Sequence, residues 1–235
     1  RELRVDKARA DHLRRHYWAT YGTTLAGLMR EHGVDPGPYL VEVHEIDLEH
    51  LQPDQDLASH ISALPGRKIV YTNGSAPYAE RVLAARGLNG VFDAIYGVEH
   101  AAYRPKPELE AFQMVFGKDG ISPEKAAMFE DDPRNLTAPH ALGMRTVHVA
   151  PEALEADHIH HHTDDLTGFL KTLLELGTRT KVRGALPHCG NGAHSNWQDR
   201  PYVRDKRPTG LVSNPQEDPL SLAEATPADL SQKTE

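Results

Sequence analysis

From Arg67 onward, short apolar segments alternate with helical segments, and this alternation leaves few folds open to the chain. The predicted strands, each a short apolar run, cover 68–71, 94–96, 126–129 and 146–149. The predicted helices cover 77–86, 107–116, 133–142 and 165–176. Strands that alternate with helices of this length build a parallel sheet with helices on both faces. The sequence therefore predicts an α/β fold over residues 65–177, a Rossmann-like doubly wound parallel sheet that binds ligands at the carboxyl ends of its strands.

Two regions flank this predicted core. Residues 1–64 are predicted to form helices only, because Leu13, Tyr17, Leu25 and Leu28 keep a helical spacing. Residues 178–235 contain repeated prolines among small and polar residues, which predicts a largely disordered tail. The histidine-rich segment 158–162 leads directly into the last predicted helix, and we favour no metal site there.

Composition and charge exclude several kinds of partner. The formal net charge is -8 and the sequence has no block of Lys and Arg, which argues against binding a nucleic-acid polymer. It has neither a long apolar segment nor the apolar core of a signal peptide, so we expect no membrane partner and a cytoplasmic location. The single cysteine, Cys189, agrees with a reducing compartment.

The first chemical cluster is the segment 71–75, where a predicted strand ends in Thr72, Asn73 and Gly74 before a helix. A hydroxyl and free backbone N–H groups at such a turn suit a phosphate oxygen. Taken alone, the cluster fits a turn with a helix cap better than it fits a binding site.

The second cluster places Lys106 between Pro105 and Pro107, just before a predicted helix. A lysine held rigidly near a strand end can neutralise a phosphoryl group. A helix-start loop whose lysine faces water explains the pattern equally well.

The third cluster is Glu130, Asp131 and Asp132 at the end of an apolar strand. Adjacent carboxylates repel each other unless a cation lies between them, and oxygen ligands favour Mg²⁺. Helix capping by Asp132 explains one of the three acids but not all of them.

In this order, the three clusters resemble the second, third and fourth motifs of the haloacid dehalogenase superfamily. Trp18, the segment 21–28 and Asp47 add a similarity to its pyrimidine 5′-nucleotidase subgroup. The resemblance covers residues 8–176 and implies a haloacid dehalogenase-like core, with residues 1–64 as the remainder of a small helical cap. It implies hydrolysis of pyrimidine nucleoside 5′-monophosphates through an aspartyl-phosphate intermediate.

The resemblance also assigns roles to single residues. It implies that Thr72 bonds the phosphoryl oxygen, assisted by the Asn73 and Gly74 backbone, and that Lys106 offsets the charge on the nucleophile and phosphoryl group.

The resemblance further implies that Asp131, with Glu130, holds a Mg²⁺ ion. Tyr17, Tyr21 and Thr23 are the candidate cap residues that face the nucleoside. Packing of an amphipathic helix on its neighbour explains these three at least as well.

One segment that the resemblance calls for does not appear in the sequence. The family's first strand lies between the strands that end at Thr72 and Glu130, and it carries the aspartate nucleophile. Asp6, Asp11 and Asp35 do not follow an apolar strand, so none of them fits that role. We therefore expect a sheet without its central first strand, and a chain that by itself has no phosphatase activity.

Two other functions stay open. The core clusters fit equally a sugar-phosphate or phosphoglycolate phosphatase of the same superfamily, because only the cap argues for nucleotides. The chain could instead be a catalytically inactive fragment or a module that binds phosphate without turnover. Neither the oligomeric state nor the exact phosphate ester follows from the sequence.

Overall fold

The structure, a computed structural model, describes residues 3–183, with side-chain surroundings through residue 177. The four helices before the first strand are α1 Lys7–Tyr21, α2 Thr24–His32, α3 Pro36–Val43 and α4 Gln55–Ala63. Each begins after a side chain that accepts a hydrogen bond from the first turn, supplied by Asp6, Thr23, Asp35 and Asp54. These caps satisfy backbone N–H groups that have no partner inside the helix, and they explain where each helix starts.

Five short strands form two parallel sheets in the described part of the chain. They are β1 Ile69–Tyr71, β2 Ala94–Tyr96, β3 Ala127–Glu130, β4 Arg145–Val149 and β5 His161–Thr163. One sheet pairs β1 with β2, and the other has the order β3-β4-β5. This α/β arrangement confirms the predicted fold class.

Strand β1 lies at one edge of the first sheet, and β3 lies at one edge of the second. Thr72 N–H donates to the Tyr96 C=O at 2.9 Å, so the polar groups of Thr72 point toward β2. Because backbone groups alternate in direction along a strand, those of Ile69 and Tyr71 point to the opposite edge. The backbone N–H and C=O groups of alternate β3 residues likewise point away from β4. Within residues 3–183 no strand joins β1 to β3, which agrees with the strand position that the sequence leaves open.

Four further helices surround the sheets, at α5 Ala76–Ala85, α6 Leu109–Asp119, α7 Thr137–Ala141 and α8 Leu166–Arg183. The main apolar core forms where α6 packs on the first sheet. Phe112 contacts Tyr71 edge-on with ring centroids 5.4 Å apart, and Phe116 stands beside Phe112. Met144, just before β4, joins the same cluster, so the core connects the two sheets beneath their open edges.

Helix α4 belongs with the core, although the sequence assigns it to the cap. Its buried Ile61 packs against Leu88 and Leu170, which is 2% exposed in α8. Arg86 donates to the Asp54 carboxylate at 3.2 Å at the start of α4. The apolar face of α4 is therefore buried on a core helix, which leaves α1, α2 and α3 for the predicted cap. These three helices are called the cap, and their role as a cap over a substrate stays a prediction.

Three other elements differ from the prediction. β5 was not predicted, because its histidines do not look like an apolar strand. The predicted helix 133–142 divides into a 3₁₀ turn Pro133–Leu136 followed by α7. Helix α8 continues to Arg183, so the predicted tail does not begin at residue 178, and residues 184–235 lie outside the described part.

None of the described helices combines the length and the apolar character that crossing a membrane requires.

Candidate active site

The site lies where core segments end at the same edge of the two sheets. Thr72 follows β1, Glu130 ends β3, and Lys106 lies in the proline-flanked loop beyond β2. Lys106 Nζ donates to the Tyr71 C=O at 3.3 Å and to the Glu130 carboxylate. Lys106 and Glu130 are only 7% and 8% exposed. Lys106 therefore bridges the carboxyl ends of the two sheets.

Asn73 fixes the position of this lysine. The Lys106 N–H donates to Asn73 Oδ1 at 2.7 Å, and Asn73 Nδ2 donates to the Lys106 C=O at 3.2 Å. Thr72 Oγ1 accepts the Gly74 N–H at 3.0 Å, which closes the turn after β1. The structure thus brings together the four residues that the sequence proposes for the phosphoryl group, and their catalytic roles stay predictions.

The Lys106 ammonium and the Glu130 carboxylate form a charged pair. Burial raises the pKa of Glu130, but the Lys106 charge and hydrogen bonds with Asp131 and Asn135 outweigh it and lower that pKa to about 2. Glu130 is therefore ionised at neutral pH, and it holds the ammonium in place. A further anion near Lys106 would share this ammonium with Glu130.

The acids after β3 fit a Mg²⁺ ion only in part. The Glu130 oxygens already accept from Lys106, Asn135 and the Asp132 N–H. The Asp131 side chain is exposed and lines the cleft, while its C=O accepts from His148 Nε2 at 2.9 Å. Among residues 3–183, no group of three or more His, Cys, Asp or Glu is placed to hold a metal. The described residues alone do not complete a Mg²⁺ site.

The candidate nucleoside-facing residues of the cap are partly engaged inside it. Tyr17 is fully buried and donates to Glu31 at 3.0 Å, and Tyr21 donates to the other oxygen of Glu31 at 2.9 Å. Thr23 lines the cleft, but its Oγ1 caps α2 by accepting from the Ala26 N–H at 3.1 Å. Contact of these three residues with a substrate stays a prediction.

Two contacts hold the cap against the site. Gly22, at a φ of 85°, lies so close to the Lys106 loop that an added Cβ would be 3.1 Å from the Lys106 C=O. Trp18 in α1 stacks on Arg134, with the guanidinium carbon 3.6 Å from the ring centroid. Arg134 in turn pairs with Asp132. The cap therefore lies directly above the loops that follow β2 and β3.

A large cleft of about 2660 Å³ opens between the two sheets. Its walls include Ile69 and Val70 of β1 and Met128 and Phe129 of β3. Thr72, Lys106 and Asp131 line the same cleft, so it is continuous with the polar residues at the strand ends. The cleft is apolar between the strands and polar at their carboxyl ends.

Sequence reasoning missed two residues that contact this site. Asn135 donates to Glu130 at 3.3 Å, and its position five residues after a strand-end acid could have indicated that role. His44, at the end of α3, is 6% exposed and lies beside Gly74 and Ser75. No local pattern marks His44, because it meets the turn after β1 only through tertiary packing.

Comparison with known proteins gives a family match. The family model described as haloacid dehalogenase-like hydrolase matches residues 14–149. The fructose-1-phosphate phosphatase YqaB of Escherichia coli is 29% identical over 109 residues, which is 46% of this chain and 57% of that protein. The chain thus matches little more than half the length of this curated relative.

Solved structures resemble the chain in fold. The HAD-type hydrolase YfnB of Bacillus subtilis, solved bound to magnesium, has a TM-score of 0.53 at 21% identity, covering 72% of this chain and 82% of that one. An L-2-haloacid dehalogenase from Xanthobacter autotrophicus has a TM-score of 0.49 at 17% identity, covering 76% of this chain and 83% of that one.

Proposed function

Because the chain belongs to the haloacid dehalogenase-like hydrolases, we propose that it forms most of a phosphomonoester hydrolase. The observation that carries this proposal is the position of Lys106, buried between Tyr71 and Glu130 and tied to Asn73. A fixed ammonium at the strand ends, next to a threonine hydroxyl, stabilises the negative charge of a phosphoryl group and of its attacking group.

For the substrate we propose a small phosphorylated sugar. The curated relative acts on fructose 1-phosphate, and this supports that class. The engagement of the Tyr17 and Tyr21 hydroxyls with Glu31 weakens the case for nucleoside recognition by these two residues. Pyrimidine nucleoside 5′-monophosphates are the second candidate, favoured by the similarity of the segment 21–28 to the nucleotidase subgroup.

We propose that the nucleophile is a carboxylate on a strand that occupies the cleft between β1 and β3. Both strands end beside Lys106, and both lie at a sheet edge and line the cleft. A strand placed there would end beside Lys106 and Asp131. The same carboxylate would join Asp131 as a ligand and complete a Mg²⁺ site. The metal ion would neutralise phosphoryl charge there.

The test is an assay of phosphate release with Mg²⁺, using fructose 1-phosphate, uridine monophosphate and cytidine monophosphate. We expect no release from the chain alone, and release once an apolar strand peptide ending in Asp-x-Asp is added. A matched peptide ending in Asn-x-Asn is the control. The ratio of kcat/KM values for the sugar and nucleotide esters then decides the substrate class.

Each result has a distinct meaning. Release by the chain alone, abolished by Lys106→Ala, would contradict the proposed position of the nucleophile but support a phosphatase. No release under any condition would contradict the phosphatase and leave a phosphate-binding or inactive chain as the explanation. The cytoplasmic location inferred from the sequence stays a proposal alongside this function.

A further inference from the structure

His44 is a cap residue whose side chain reaches the turn after β1. It follows α3, and its backbone C=O accepts from Arg81 Nη1 at 2.8 Å, which anchors the end of the cap helix to core helix α5. The side chain lines the cleft beside Gly74. Neither the sequence motifs nor the site around Lys106 accounts for this position.

The imidazole ring is held in one orientation. It stacks on Tyr78 with ring centroids 4.2 Å apart and an interplanar angle of 2°. His44 Nδ1 lies 3.0 Å from Ser75 Oγ. Ser75 precedes α5 but its hydroxyl makes no capping bond to that helix. Nδ1 can accept the Ser75 hydroxyl proton when the ring proton is on Nε2.

The surroundings keep the ring neutral. Burial is the main cause that lowers the pKa of His44 to about 4, and Arg81 lowers it further, against the opposite effects of Glu99 and of a hydrogen bond with the Leu40 backbone. A neutral imidazole carries one proton. If Ser75 donates to Nδ1, that proton is on Nε2.

Nε2 and Thr72 face the same space above Gly74. A Cβ built on Gly74 would lie 3.5 Å from His44 Nε2, 3.4 Å from Thr72 Oγ1 and 3.5 Å from the Tyr78 ring. The two polar atoms are therefore at most about 7 Å apart, a distance that one tetrahedral phosphate can span with a hydrogen bond to each. Glycine leaves this face of the turn open.

We propose that His44 is a substrate-binding residue whose Nε2–H donates to a phosphoryl oxygen above Gly74, on the cap side of the site, with Ser75 as the positioning residue that sets the tautomer. This inference rests on the proposed function, because it requires that the phosphate bind at the Thr72–Gly74 turn. His44 would be a cap residue in a phosphate site whose other residues belong to the core. Phosphate binding would therefore also link α3 to the core.

The experiment measures binding of inorganic phosphate to the full chain by calorimetry. His44→Asn retains an amide near the Nδ1 position and loses the donor at Nε2, whereas His44→Gln carries its amide nitrogen near the Nε2 position. We expect about tenfold weaker binding for His44→Asn and near wild-type binding for His44→Gln, as for loss of one hydrogen bond to a charged group. The phosphate affinity of Ser75→Ala is expected to lie between those of the two His44 variants.

Two further measurements locate the effect. Gly74→Ala has room for its methyl group yet covers the space between Thr72 and His44, so it should abolish phosphate binding at this turn. Nitrogen NMR of the wild-type chain should show His44 with the proton on Nε2, and that nitrogen should shift when phosphate is added. A merely structural role for His44 would not produce this shift.

The possible results separate the two proposals. Equal phosphate binding by wild type, His44→Asn and His44→Gln, or a proton on Nδ1, would overturn the assignment of His44 alone. No phosphate binding by the wild type, or binding that Gly74→Ala leaves unchanged, would overturn the anion site and the assignment together. Binding that depends on His44 without any turnover in the assay above would support the assignment and contradict the hydrolase.

Discussion

At the scale of single residues, the site is organised by one buried charged pair. Lys106 lies in the loop beyond β2 and Glu130 ends β3, and each supplies the charge that the other needs inside the protein. Asn73 and Asn135 add hydrogen bonds to the backbone of the lysine and to the carboxylate. A buried pair of this kind stabilises little relative to an apolar pair, but the loss of one member leaves an uncompensated charge.

Replacing Lys106 with Met is therefore expected to destabilise the chain by about 3–5 kcal/mol, because Glu130 stays buried without its cation. Urea unfolding at neutral pH measures the loss. The exposed Lys125→Met serves as the control and should change little. In the double variant Lys106→Met with Glu130→Gln, much of the loss should disappear. A single variant as stable as wild type would show that the pair is not buried as described.

At the scale of elements, the division between cap and core does not follow the change in sequence texture at Arg67. Helix α4 precedes that point but packs on α8 through Ile61 and Leu170. The cap helices α2 and α3 form a separate, smaller apolar cluster. In it Leu25 and Leu40 pack against Val98, which follows β2. Element packing thus assigns α4 to the same body as the sheets.

Ile61→Ala is expected to lower the free energy of unfolding of the core by about 2–5 kcal/mol, since it leaves a cavity between α4 and α8. The matched control is the exposed neighbour Ser62→Ala on the same helix. Hydrogen exchange should show faster opening of α8 in the first variant and not in the second. Exchange that changes only in α1 to α3 would place α4 with the cap after all.

At the scale of the whole molecule, the dominant feature is the cleft between the two sheets. The open edges of β1 and β3 present unpaired backbone groups beside apolar side chains. Such edges pair with strands of other chains unless they are covered. The same edges that would accept a strand carrying the nucleophile therefore favour association of the chain with itself.

We expect the purified chain to self-associate as its concentration rises, which sedimentation velocity can measure. Ile69→Pro should reduce this association, because the N–H of Ile69 points to the open edge and proline removes it. Val70→Pro is the contrasting variant, since the Val70 N–H points toward β2 and its loss should disrupt the first sheet. A wild-type chain that stays monomeric at all concentrations would mean that these edges are not available.

Much of the fold and part of the site could be predicted from the sequence. Apolar runs predicted β1 to β4, and strand-end polar residues predicted that Thr72, Lys106 and Glu130 meet, because parallel strands place their carboxyl ends at one edge. The histidines of β5 carry no apolar signal, so that strand could not be recognised. The hydroxyl partner of Tyr17 and Tyr21 was equally hidden, because Glu31 reaches them only when α1 packs on α2.

The sequence by itself determined the type and order of most elements and the three chemical clusters, since these depend on neighbours a few residues apart. Only the tertiary structure decided that α4 joins the core, that Lys106 is neutralised by Glu130, and that His44 faces Gly74. Each of these depends on contacts between residues distant in sequence, where burial and charge compensation, not local propensity, set the outcome.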